Sequence, residues 1–173
     1  MNLNDRSVLF PKNLVAAHDR QAEIERFRLA EEKKAKEAEK ANSLRGLFQA
    51  RFEQLNRYSF QMQGLIIRPA ASYEEFIDEG SVLRHCVAGY AERHAKGETA
   101  LFWIRKTEAP DEPYYTLQFN EKTQDVVQNR GKNNCDRTPE ITAFELRWLE
   151  HARQVAAAKN KSNRRRKKED TAA

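Results

Sequence analysis

"TALFWIRKTEAPDEPYYTLQFNEKTQDVVQNRG", residues 99–131, decides the fold. It contains three extended pieces. "TALFWIRK" is an almost continuous apolar run, as expected of a strand covered on both faces. "PYYTLQFN" alternates, with Tyr115, Leu117 and Phe119 on one face and Tyr114, Thr116 and Gln118 on the other. "TQDVVQNR" follows the short polar link "NEKT", which reads as a hairpin. The earlier link, "TEAPDEP", is longer and carries two prolines. The result is a meander of three antiparallel strands.

Upstream, "YSFQMQ" places Tyr58, Phe60 and Met62 on one face against Ser59, Gln61 and Gln63, and "GLIIRPA" is a second extended piece ended by Pro69. These supply a fourth and fifth strand, with Gly64 a turn or bulge between them. Before them, Leu44, Leu47, Phe48, Arg51, Phe52 and Leu55 recur at helical spacing, so one face is buried. Gly46 marks a potential break there. Further back, Pro11 suits the first turn of a helix with a thin stripe of Leu14, His18, Ile24 and Phe27. It runs into "LAEEKKAKEAEKA", whose Ala, Glu and Lys favour a solvated helix supported by pairs three or four apart. Large heptad residues for a coiled-coil arm are missing.

Between the fifth strand piece and the meander, Ser72 and Glu75 form a capping-box pattern that opens a short helix to about Asp78. Gly80 is expected to interrupt it, with a second helix from Ser81 to a Gly97 stop. Downstream, Thr138, Pro139 and Glu140 start a last helix, whose stripe of Ile141, Phe144, Trp148, Leu149, Ala152 and Val155 should cover one sheet face. The expected class is α+β: a small antiparallel meander packed by two or three helices, a long polar N-terminal helix and a disordered basic C-terminal tail. The expected divisions are a helical arm over 1–57, a core over 58–158 and the tail over 159–173.

The 173 residues are 39% apolar and 33% charged, so the core is concentrated in part of the chain. The net charge of +5 comes from the end. Lys159, Lys161, Arg164, Arg165, Arg166, Lys167 and Lys168, against Glu169 and Asp170, account for all of it. Nucleic acid is the expected partner of such a tail, held by salt-sensitive attraction. No apolar run reaches the roughly 20 residues of a membrane span. Two cysteines and no secretory apolar region give the expectation of a reduced cytoplasm.

The chemistry-bearing residues gather in two places. In "LRHCVAGYAERHAKGE", Leu83, Cys86, Val87, Tyr90 and His94 would line one face of a helix, with Cys86 a small buried hydrophobe. His85 and Cys86 are adjacent and do not face each other, so a nucleophilic Cys86 would need its base from His94 or His18. His85, Cys86, His94 and Cys135 lack zinc-ligand spacing, and no metal or other cofactor is expected. In "VVQNRGKNN", Gln128, Arg130 and Asn134 project from a strand end and Gly131 permits a sharp turn. Arg130 offers a planar fork for phosphate or carboxylate, or else bonds within its own turn, with the asparagines in left-handed geometry. In a compact domain His85, Tyr90, Arg105, Gln128 and Arg130 could meet at one end of the sheet, in a polar pocket able to hold an anion.

"FPKNLVAAHD", "EGSVLRHCVAGYAERHAKGETALFWIRK", "PYYTLQF", "VVQNRGKNN" and "FELRW" occur in this order, and together the chain resembles the PcfJ-like family from Phe10 to Trp148. The pairing of H-C-V-x-x-Y with Q-x-R-G-x-x-N carries the specificity. The family's motif positions fall on His85, Cys86, Tyr90, Arg105, Thr116, Gln128, Arg130, Gly131 and Asn134. Gln118 stands where the family often has Glu, which weakens an enzymatic reading that would use a carboxylate there. Many relatives carry extra N-terminal sequence, which makes this chain either a short form or the C-terminal portion of a divided ancestor.

The resemblance implies a bacterial protein of conjugative plasmids, integrated elements or phages, with a plasmid- or phage-encoded protein partner. It brings no established reaction. Three functions are therefore expected in descending order. The first is a nucleic-acid or nucleoprotein binding module. The second is an enzyme on a phosphate-containing or nucleotide substrate, with His85 as acid or base and Arg130 as anion clamp. The third is a scaffold for a host factor that uses the helical arm over 12–55.

Overall fold

A computed structural model describes the backbone of residues 14–170 and the side chains of residues 16–159. The helix start expected at Pro11 lies outside the described residues. The chain divides into two compact units, Met1–Asn42 and Ser43–Ala173. The described part of the first is helix: α1 covers Leu14–Leu55 and so runs from one unit into the other. In the first unit, Arg28 pairs with Glu25 at 2.7 Å and Glu32 at 3.3 Å, and Lys33 lies 3.8 Å from Glu37. Ile24 and Phe27 of the thin stripe are exposed.

The second unit holds a five-stranded antiparallel sheet in sequence order: β1 Phe60–Met62, β2 Leu65–Pro69, β3 Ala100–Lys106, β4 Tyr115–Asn120 and β5 Asp125–Arg130. All five expected strands are present. Gln63 and Gly64 form the two-residue turn between β1 and β2. Asn120 caps the turn after β4 by accepting from the Lys122 and Thr123 N–H groups. β3 is central, and residues 100–105 are buried on both faces, which explains its unbroken apolar run.

One face of β3, Ala100, Phe102 and Ile104, packs with Tyr58, Leu117 and Phe119 under the last helix, α4, Pro139–Asp170. α4 inserts Ile141, Phe144, Trp148 and Ala152, and Trp148 donates to the Tyr58 carbonyl at 2.7 Å. Thr138 caps it, accepting from the Ile141 N–H at 3.2 Å. The other face, Leu101 and Trp103, packs with Leu44 and Phe48 of α1, Phe76 of α2 (Tyr73–Leu83) and Ala91 and Ala95 of α3 (Ala91–Ala95). Ser72 caps α2 by accepting from the Glu75 N–H.

Two local expectations change. α1 runs unbroken through Gly46, and Leu47 is exposed, because the buried stripe is carried by Leu44, Phe48, Arg51 and Leu55. α2 continues through Gly80 to Leu83. The described backbone of α4 is helical through Asp170, in keeping with the helix preference of Ala, Lys, Arg and Glu.

Candidate functional site

The segment expected to be one helix over Ser81–Gly97 is instead broken at its start. Arg84 takes a left-handed conformation (φ 54°, ψ 51°) and ends α2, and the His85 N–H reaches back to the Gly80 carbonyl at 3.2 Å. His85 is extended, Cys86–Tyr90 is a 3₁₀ turn, and α3 follows. Gly80 has a different role from the expected break. A Cβ there would lie 3.1 Å from the His85 carbonyl oxygen and 3.6 Å from the Ala88 Cβ, so its bare backbone lets the 85–88 segment fold onto α2.

This break turns His85 towards the sheet. Its Nε2 lies 3.2 Å from the Thr116 hydroxyl on β4. Thr116 in turn donates to Glu79 Oε1 at 2.6 Å. Glu79 is fully buried on α2 and forms an ion pair with buried Arg105 of β3. Burial holds the His85 imidazole below its ordinary pKa, against the opposing pull of the Glu79 charge and of its own backbone carbonyl. The lowered pKa favours the neutral imidazole.

Around it lies a hollow of about 100 Å³, lined by His85, Cys86, Val87 and Tyr90 from the broken segment, Leu101, Thr116, Gln128 and Arg130 from the sheet, and Asn134. That is well above the roughly 10–15 Å³ that one water needs. The Gln128 amide donates to Gln118 Oε1 at 3.0 Å, and Gln118 donates to Thr99 Oγ1 at 3.0 Å, which fixes the amides at this edge. Arg130 is half exposed at the rim and pairs with Asp136, itself 90% exposed. Asn133 and Asn134 both take left-handed conformations.

Of the residues singled out from sequence, His85, Cys86, Tyr90, Thr116, Gln128, Arg130 and Asn134 line this one hollow. Arg105 does not. It sits beneath, 3% exposed, supporting Glu79 and the Ile104 carbonyl. Gly131 is also behind the wall: a Cβ there would come within 2.8 Å of Cys135 Sγ and 2.9 Å of the Tyr115 ring. Tyr115 donates to the Asp136 carbonyl, and burial and the Cys135 neighbour push its pKa up to about 12.

Cys86 is exposed in the hollow, not buried, because it lies on the 3₁₀ turn outside any helix face. His94 cannot serve it. That ring is fully buried, accepts the Leu101 N–H at 3.0 Å and stacks on Phe48. Among the described residues no group of histidine, cysteine and acidic side chains could hold a metal ion. Of the basic tail residues only Lys159 is described; Lys161, Arg164, Arg165, Arg166, Lys167 and Lys168 lie outside the residues with described side chains.

Glu79 and Asp136 were not found from the sequence. Glu79 had a signal: Phe76, Glu79 and Leu83 share one helical face, so a carboxylate stood in an apolar stripe. Asp136 had none beyond lying in a polar loop.

A family model described as PcfJ-like protein matches residues 1–145. The chain is 26% identical over 148 residues to the "Uncharacterized protein Lin1253/Lin1744" of Listeria innocua, a match covering 84% of this chain and 30% of that relative. The chain thus spans less than a third of the relative's length. No solved structure matches. No helix among the described residues is long and apolar enough to cross a membrane.

Proposed function

The chain belongs to the PcfJ-like protein family, and from that premise we propose that it is a nucleic-acid-binding accessory protein of a mobile genetic element, whose hollow receives a phosphate-bearing segment of the strand. The observation that carries this reading is convergence: side chains from the 85–90 segment, β4, β5 and the following loop line one small cavity, with the polar groups of Gln128, Arg130 and Asn134 among them. Arg130 is its anion contact. Its present partner, Asp136, is so exposed that the pair contributes little and can yield to a phosphate gripped by the planar fork. Gln128 and Asn134 carry amides able to bond base edges or sugar hydroxyls, and Tyr90 offers a ring to stack on, with the Arg93 guanidinium 5.5 Å from its centroid. The basic end of α4 adds sequence-tolerant attraction.

Fluorescence anisotropy with a single-stranded oligonucleotide tests this. Arg130→Ala is expected to weaken binding about tenfold and to lower the log–log salt slope by about one. Absence of binding at low salt, or equal affinity of the variant, removes the proposal.

One observation favours a second reading, an enzyme acting on a phosphate-containing or nucleotide substrate. His85 is backed by a buried carboxylate through Thr116, an arrangement that simple binding does not require. In that reading His85 is the acid or base and Arg130 stabilises developing charge. Turnover of a phosphodiester reporter, abolished by His85→Ala, supports it; no turnover by the wild type excludes that substrate class.

A further inference from the structure

We infer that Glu79 and Thr116 are positioning residues that hold the His85 imidazole with its proton on Nε2, leaving Nδ1 as the unprotonated nitrogen available to accept a proton. The inference rests on the second reading above for its ligand, a hydroxyl-bearing phosphate ester, but its geometry stands apart from any ligand.

The chain of hydrogen bonds has one direction. The Arg105 guanidinium directs two N–H groups at Glu79. Glu79 is thus a carboxylate in an ion pair and can only accept. Thr116 has a single hydroxyl proton, and the 2.6 Å contact assigns it to Glu79 Oε1. Towards His85 Nε2, at 3.2 Å, Thr116 then offers only a lone pair. A bare Nε2 would set two lone pairs against each other in a part-buried contact, leaving both without a donor. Nε2 therefore carries the proton, and a neutral imidazole has no second one, so Nδ1 keeps its lone pair even though the residue's own backbone carbonyl favours a proton on the ring.

Depth makes the assignment firm. Glu79 is 0%, Arg105 3% and Thr116 7% exposed, so water cannot easily rearrange the chain. In the enzymatic reading, Nδ1 takes the proton of a hydroxyl as that hydroxyl's oxygen attacks the phosphorus of an Arg130-bound phosphate. The resulting imidazolium keeps its Nε2–H on Thr116 and faces the Glu79 charge. As the new P–O bond forms, the bond from phosphorus to the leaving oxygen breaks, and the leaving oxygen takes a proton from water.

Nitrogen-15 NMR of the histidine side chains, at a pH where His85 is neutral, reads the tautomer directly. The expected wild-type result is a protonated Nε2 and a pyridine-like Nδ1. Thr116→Val should collapse this into a tautomer mixture, and Thr116→Ser should restore it. A wild-type His85 protonated on Nδ1 overturns the inference, as does an unchanged tautomer in a folded Thr116→Val protein. If Thr116→Val does not fold, the wild-type spectrum and Thr116→Ser still decide. None of these readouts depends on nucleic acid, so a failed binding experiment and a failed tautomer assignment are distinguishable.

Discussion

At the scale of single residues, the two histidines of the motif region have opposite fates, and the difference is burial. His85 sits at a part-buried rim with a relay behind it. His94 is sealed in the core, where burial first, and then the Arg51 charge, hold its pKa down to about 3 from 6.5. The folded state therefore refuses a proton that the unfolded chain accepts. The unfolded state binds more protons between those two values, so stability is complete above about pH 6.5 and falls as the pH drops towards 3. The slope is on the order of 1.4 kcal/mol per pH unit in that window. Denaturation midpoints from pH 7 to 4 should show it for the wild type, and His94→Gln, which keeps an acceptor for the Leu101 N–H, should flatten it. Residue identity alone could not separate the two histidines, because both fall near apolar neighbours in the sequence.

At the scale of elements, periodicity made most of the fold legible. The unbroken run of β3, the alternation of β4 and the stripe of α4 each record how many faces are covered. The site was less legible because its geometry depends on one backbone break. Gly80 looked like the helix stop, yet it is there for close approach, and the actual stop is Arg84, a residue that pays no visible signal for its left-handed conformation. A helix drawn through Arg84 points His85 the wrong way and buries Cys86. Since an L-residue with a side chain is strained at this φ, Arg84→Gly should stabilise the protein by about 0.5–1 kcal/mol in chemical denaturation. A loss of stability would mean that the Arg84 side chain contributes more than the strain costs.

At the scale of the whole molecule, the division of charge sets the main contest. The net +5 resides from Lys159 onward, while the hollow is lined by the 85–90 segment, β4 and β5. A nucleic acid attracted only by the basic end would never need His85, Arg130 or the buried Glu79–Arg105 pair. That pair is costly to desolvate, and through Thr116 it is linked to His85, which lines the hollow. Amide chemical-shift mapping of the full chain with a single-stranded oligonucleotide at physiological salt tests this most directly. Perturbations are expected to concentrate at residues 85–90 and 128–134. Perturbations confined to residues from Lys159 onward, with the hollow unchanged, would contradict it.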